Sequence, residues 1–578
     1  MRLIGMSSTP ELFMQLKRTG FSVLPALASC LLVACGDTKP SSTEGRGTVI
    51  IATAADADFL LPSVLQSVSG KQVIDQVFDY LADPPASLNT VGDVGFTPRL
   101  ARRWSWSADS LSITFELDSA ARWHDGEPVR ASDVRFTLGL IKDVKTASQL
   151  APSLSDVDSI TVRDSLTAVV WFARRTPEQF STIVFNLAVL PEHLLAQLPR
   201  ETLRESAFAQ HPVGSGRFRF ARWVKGSVIE LVADTGNYRG RPSIDRVMWS
   251  VTPDPTTLWA RVVNEEADFV EVLRGEALGK VAASPAARLM PYPSLDYGYV
   301  QFNLRDRGSK TRAHPILSDA GLRRALSLSL DVRGVVKNVL DTLGYPGIGP
   351  VVRAQATADT MIATLPYDVV AARALLDSLG WRDSNGDGTR ERAGKPLRFA
   401  LSTPISSATR RQMAVLLQAQ WKAVGADVTI DELEPNTFFE RLRAGTFDAA
   451  INATHTDPTP SSARQSWGSA ALPERGGSNF GGYASPAFDA YLDSGATAFQ
   501  PARSRDYYHQ AYRQIIRDAP AIWLYEPRMA AGVHRRLTVT GVRADAWWAG
   551  IPNWTIAPEQ RIARDKVPLV VVADTGAR

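Results

Sequence analysis

A chain of 578 residues is longer than one hydrophobic core serves, so more than one core is expected. With 44% hydrophobic and 21% charged residues, the composition excludes both a disordered chain and a membrane-embedded one. The formal charge is +4; Arg2, Lys17 and Arg18 against Glu11 supply half of it, and the +2 left beyond residue 34 is too balanced for a nucleic-acid surface. In chain order, Lys17-Arg18 is followed by an apolar run from Phe21 to Ala34, shorter than the ~20 residues that cross a bilayer. The two cysteines, Cys30 and Cys35, both fall here, so the rest of the chain has no disulfide framework and no cysteine-based metal site or nucleophile. A polar stretch, Gly36 to Gly45, reads as a flexible tether.

Thr48 to Ala52 is apolar in the manner of a buried strand, and leads into Asp56-Ala57-Asp58 and then Pro62. Leu111, Ile113, Phe115 and Leu117 alternate with polar residues, the period of a strand with one buried face. Asp125-Gly126 marks a turn, because glycine supplies positive φ and aspartate can bond its own backbone. A helix follows with Val134, Leu138 and Ile141 on one face; Arg130 is a weak cap, and Ser132 offers a cap in a shifted register. Phe218, Phe220, Val228, Ile229 and Leu231 read as strands after Gly214-Ser215-Gly216, which argues against a phosphate loop there.

Beyond residue 305 the pattern becomes helical. Asp319, Asp331 and Asp368 are placed to cap helices. Leu397–Ser402, Arg410–Val424 and Ala426–Ile430 read as strand, helix and strand with short links, a βαβ unit. Asp383-Ser384-Asn385-Gly386-Asp387-Gly388 imitates the start of a calcium loop. The twelfth position is Gly394 where a bidentate glutamate is needed, so a structural turn is expected and no metal. Phe447–Ile451 is a strand running into Thr454-His455-Thr456-Asp457-Pro458.

Leu32-Val33-Ala34-Cys35 resembles a bacterial lipobox, which implies cleavage before Cys35 and lipid on its sulfur; Leu27-Ala28-Ser29-Cys30 is a second acceptable lipobox. Trp123-His124-Asp125-Gly126-x-Pro128-x-x-Ala131-x-Asp133-Val134 resembles the signature of the dipeptide/oligopeptide-binding family of ABC-transporter substrate-binding proteins, solute-binding protein family 5. Pro98-x-Leu100-Ala101-x-x-Trp104, Val213-Gly214-Ser215-Gly216, Arg324-Ala325-Leu326 and Asn479-Phe480-x-x-Tyr483 extend the likeness over roughly residues 48 to 545. It implies an α/β, two-lobed periplasmic-binding-protein-like fold of the large cluster, with an extra subdomain and a hinge. On that basis 1–34 is a signal peptide, 35–47 a tether, 48–305 lobe 1, 306–524 lobe 2, 525–567 a return to lobe 1, and 568–578 a tail.

The same resemblance implies a lipid-anchored monomer in the periplasm or on the cell-envelope face. It would capture a peptide or peptide-sized solute between the lobes and hand it to the permease subunits of an importer. No enzyme activity, cofactor or nucleic-acid partner is implied. Asp56 and Ala57 are the positions that would face ligand from lobe 1. Peptide binders place an aspartate for the ligand's ammonium four residues before the proline, and here that count reaches Thr454, which cannot supply a carboxylate; Asp457 is the alternative carboxylate. A ligand drives closure only by binding the closed state better, so contacts are expected from both lobes: Asp56, Tyr297, Thr454, His455 and Trp467. Trp547 and Trp548 either line the cleft or pack in the core. The alternative is an exported hydrolase using His124-Asp125 or His455-Asp457. The chain lacks a Gly-x-Ser-x-Gly elbow and a His-Glu-x-x-His motif.

Overall fold

The computed structural model describes residues 45–567; Cys30, Cys35, the leader, most of the tether and the tail from residue 568 lie outside the described residues. The first half of the chain contains β1 (Thr48–Thr53), α1 (Val68–Val77), β2 (Ala101–Trp106), β3 (Ser112–Leu117), α2 (Ala131–Lys142), β4 (Val157–Asp164), β5 (Thr167–Phe172), α3 (Gln179–Asn186), β6 (Phe218–Val224), β7 (Val228–Ala233), β8 (Arg246–Val251), β9 (Phe269–Val270) and β10 (Ala287–Pro293). The second contains β11 (Asp296–Phe302), α4 (Ala320–Leu328), α5 (Val332–Leu340), β12 (Gly344–Pro346), α6 (Val369–Ser378), β13 (Arg398–Pro404), α7 (Ala408–Lys422), β14 (Asp427–Leu433), α8 (Pro435–Ala444), β15 (Ala449–His455), α9 (Pro486–Thr497), α10 (Pro501–Asp518) and β16 (Ala521–His534).

The apolar run of β1 makes it a central strand, parallel to β8 on one side and β9 on the other. β2, β3, β5 and β4 form a separate antiparallel sheet in that order, the extra subdomain of the first lobe. The alternation read at residues 111–117 places Ile113 and Phe115 at 0% exposure in the first core.

β13, α7 and β14 are the βαβ unit read from periodicity, with β13 and β14 paired in parallel along seven residues. Met413, Leu417 and Trp421 bury one face of α7 against the sheet. Asp319, Asp331 and Asp368 cap α4, α5 and α6 by accepting backbone N–H bonds from the first turn of each helix.

One twelve-stranded sheet runs through both lobes in the order β14-β13-β15-β11-β16-β9-β1-β8-β7-β6, with β10 and β12 also paired to β16. β16 is fourteen residues long and belongs to both lobes. Its first part pairs with β11, its middle with β12, and its end with β10 and β9. The chain therefore passes between lobes at 293–296 and 526–528, where Ser294 Oγ donates to the Pro527 carbonyl at 2.9 Å. The sequence expectation set the first boundary near 305. β11 ends just before that position, and its Val300 and Phe302 lie in the second core. Trp547 packs on Phe269 at 4.5 Å between ring centroids, and Trp547 and Trp548 both belong to the first core rather than to a cleft.

Candidate functional site

The Trp123–Val134 stretch is a closed knot. Gly126 has φ +98, which the turn requires. His124 does not pair with Asp125. Its Nε2 meets the Gly216 carbonyl at 2.9 Å and its Nδ1 accepts the Gly214 N–H at 3.2 Å. Burial lowers its pKa to about 4, so the imidazole is neutral at pH 7. Asp125 turns instead to His193 at 2.8 Å. α2 starts at Ala131 with no shift to Ser132, because Asp133 Oδ2 accepts the Arg130 N–H at 2.8 Å. Asp133 Oδ1 takes the Glu192 N–H at 2.9 Å, and Trp123 Nε1 donates to Oδ2 at 3.3 Å. The hydrolase pair at 124–125 is thereby dissolved into scaffold.

The second pair is dissolved as well. His455 Nδ1 lies 2.9 Å from Asp296 rather than against Asp457, and that bond raises its pKa. Asp457 is exposed and uses its carbonyl to accept Gln355 Nε2 at 2.8 Å.

Strand register assembles a different group. On β11, Tyr297 and Tyr299 point to the same face, as residues two apart must. Tyr297 lies opposite Thr454, and Tyr299 lies opposite Asn452 of β15 and Trp523 of β16. Val300, Ile451 and Ile522, one residue out of phase, face the second core. Gly298 sits at a bulge beneath Tyr525, where a Cβ would come within 2.1 Å of a ring carbon. Trp467 closes the group, with its Nε1 donating to Tyr297 Oη at 3.0 Å and its ring 5.0 Å from that of Trp523. Tyr299 Oη and Thr454 Oγ1 are 3.0 Å apart. Burial pushes the pKa of both tyrosines up, so both hydroxyls stay protonated.

Among the described residues, several polar atoms in this part of the second lobe have no protein partner. Trp523 Nε1 is buried and unbonded. Gln301, two residues beyond Tyr299 on the same face, is 1% exposed with neither amide atom satisfied. Thr403 Oγ1 at the carboxyl end of β13 and Arg410 Nε in the first turn of α7 are also buried without partners. Arg410 makes no side-chain hydrogen bond or ion pair among the described residues, and its charge acts on Tyr299. Buried polar atoms are nearly always satisfied, so a cluster of exceptions marks a place that something else fills. Its position at the carboxyl end of a parallel strand, beside a helix N-terminus, is where α/β sheets bind ligands.

The structure thus brings Tyr297, Thr454 and Trp467 together, with His455 adjoining. Asp56 and Ala57 stand apart on the first lobe. Asp56 is spent locally, accepting from Trp223 Nε1 at 3.0 Å and Gly226 N at 2.7 Å, and Ala57 is 8% exposed. The first lobe reaches the second elsewhere. Glu178 accepts from Thr459 Oγ1 and from Ser461 Oγ at 3.4 Å, Arg175 lies 3.9 Å from the Phe499 ring centroid, and Leu88 packs in the cluster that holds Tyr297 and Trp523. Arg410, Thr403, Gln301, Asn452 and Trp523 escaped the sequence reading; no local pattern distinguishes an unpartnered arginine from a solvated one.

Among the described residues, Asp383, Asp387 and Glu391 bring carboxylate oxygens within 4.8 Å. Asp383 is engaged by the Gly386 and Gly388 amides at 2.7 and 3.0 Å, as in an ordinary turn. No described helix is long and apolar enough to cross a membrane.

Comparison with known proteins matches residues 95–471 to the bacterial extracellular solute-binding proteins, family 5. The oligopeptide-binding protein AppA of Bacillus subtilis is 23% identical over 532 residues, spanning 88% of this chain and 92% of that protein. Protein XP55 of Streptomyces lividans is 25% identical over 484 residues, 84% of each. Among solved structures, AppA with a bound nonapeptide superposes with a TM-score of 0.62 at 21% identity, covering 89% of this chain and 99% of that one. The substrate-binding protein CtaP of Listeria monocytogenes superposes at 0.74 and 20% identity, covering 89% and 100%. These likenesses carry the two-lobed fold, and the family is one of binding proteins, which displaces the hydrolase alternative. The chain belongs to the bacterial extracellular solute-binding proteins of family 5.

Proposed function

We propose that the protein binds a peptide or peptide-sized solute between its lobes and delivers it to the permease of an ABC importer, as a monomer held at the cell envelope by lipid on Cys35. Relatives named as oligopeptide-binding proteins support the ligand class. The observation that carries the reading is the run of unsatisfied polar atoms around Tyr299: Gln301, Trp523 Nε1, Thr403 and Arg410. Thr454, His455 and Asp457 border this group and reach ligand directly. Tyr297 and Trp467, at 2% and 1% exposure, shape its wall. Asp56 and Ala57 contribute from the first lobe through backbone, since the Asp56 carboxylate is already bonded.

The charge pattern narrows the ligand. Among the described residues Arg410 meets no carboxylate, so the ligand presents an anionic group there, while the exposed Asp457 is the carboxylate left for an ammonium in place of the aspartate missing at Thr454. The protein is purified without refolding and examined by native mass spectrometry, then screened against peptides with free and blocked amino termini by melting temperature. A retained peptide-sized mass and upward shifts are expected. The absence of any shift across peptides, opines, sugars and metal complexes would sink the reading. Incorporation of labelled fatty acid, lost in Cys35→Ser, tests the anchor.

A further inference from the structure

A second pocket, of about 270 Å³, opens wholly within the first lobe, between α1, the end of α3, the loops carrying Arg217 and Arg239, and the segment 541–553. It is remote from the residues that hold Asp56. Arg217 precedes β6, while Trp223 and Gly226 lie at the far end of the β6–β7 hairpin, and seven residues of strand at about 3.3 Å each separate the two ends by roughly 20 Å.

Five cations line it: Lys71, Arg99, Arg217, Arg239 and Arg543. Four are neutralised. Lys71 pairs with Asp75 at 3.0 Å and Arg543 with Asp545 at 2.9 Å. Arg99 and Arg239 share Asp79 and Asp83 at 2.8 to 3.2 Å. Arg217 is different. Its Nε, Nη2 and Nη1 donate to the carbonyls of Gly240 and Arg241 and to Asn553 Oδ1, at 3.1, 3.1 and 2.9 Å, all neutral acceptors. No carboxylate meets it among the described residues. Three bonds fix the guanidinium in place and leave two N–H groups to give. Burial and the neighbouring Arg239 lower its pKa, and the more distant Asp79 and Asp83, already shared by Arg99 and Arg239, offset this only in part. Trp548, Phe185, Ala549 and Pro552 form an apolar patch of the wall, beside the polar Gln76, Tyr80 and Asn553 and the paired carboxylates Asp75, Asp83 and Asp545. Trp548 is fixed by its Nε1 bond to Asp75 at 2.8 Å.

We propose that this pocket is a second binding site, for a small organic anion: one carboxylate or phosphate held by Arg217, on an apolar body lodged against Trp548. The volume lies just below the range that takes drug-sized ligands, so it excludes the peptide-sized solute proposed for the interlobe site. The inference is independent of that site.

Benzoate, phenyl phosphate and inorganic phosphate are titrated separately into the intact protein, with tryptophan fluorescence and calorimetry as readouts. Saturable binding of benzoate or phenyl phosphate is expected, and the stronger of the two identifies the anion. Arg217→Gln should weaken it at least tenfold, whereas Arg410→Gln should leave it unchanged. Should Arg217→Gln fail to fold, Ala549→Leu, which fills the pocket and keeps the arginine, must block binding instead. No saturation by either aromatic anion, undiminished binding in Ala549→Leu or in folded Arg217→Gln, or inorganic phosphate binding as tightly as phenyl phosphate, would overturn the proposal.

Discussion

The Trp123–Val134 stretch and the Tyr297–Trp467 group both mix aromatic and polar residues in a buried setting, yet they differ in how their polar atoms end. Around Trp123 the loop is closed: the His124 nitrogens and the Asp133 oxygens meet backbone or ring partners. Around Tyr299 several are left open. A closed set stabilises the fold by itself, because each buried group exchanges water for a protein partner; an open set costs stability until something supplies the missing bonds. Residue composition does not tell the two regions apart; completeness of hydrogen bonding does.

The sharpest way to break this contrast is Asp133→Ala. It leaves two backbone N–H groups and the Trp123 indole without an acceptor, and should cost about 3 kcal/mol in denaturant unfolding while ligand affinity stays unchanged in the folded protein. A loss under about 0.5 kcal/mol would contradict the scaffold role. Arg410→Gln should do the reverse, weakening ligand about tenfold or more, or about 1.4 kcal/mol, with little change in melting temperature. Loss of fold without loss of affinity would erase the contrast.

Glu526 tests the crossing between the regions. Burial outweighs its Arg353 partner and pushes the carboxyl up to about 7, from 4.5. The folded protein holds that proton where the unfolded chain has released it, so stability falls as pH rises from about 4.5 to 7 and is level above. Glu526→Gln should remove that fall, seen as about 2 °C in melting temperature; an unchanged slope would refute it. The smallest effect is expected from Gln301→Met, which replaces two unsatisfied atoms by an apolar side chain. The ligand-free protein should gain a few tenths of a kcal/mol, and ligand affinity should fall; a clear loss of stability would show that Gln301 is satisfied.

Much of the fold was legible. The βαβ unit at 398–433 carries its periods openly, and Asp319, Asp331 and Asp368 cap the helices they precede. The site was legible only in part. Tyr297, Thr454 and Trp467 were reached through a family likeness and do meet. The His455–Asp457 pairing failed because Asp296, nearly 160 residues away, is brought opposite by strand register. Arg410 was invisible because having no partner is a property of three dimensions.

The long β16 has a bearing on when the molecule can fold. It lies between β11 and β9, in the interior of the sheet, and is drawn from residues 521–534. Until that stretch has emerged from the ribosome, β11 on one side and β9 on the other are bare edges, and neither lobe can complete its sheet. Pairing β9 at residue 269 with residue 533 also spans nearly half the chain, the kind of distant contact that slows folding. Both lobes therefore wait on one late segment, residues 521–534, before their shared sheet can close.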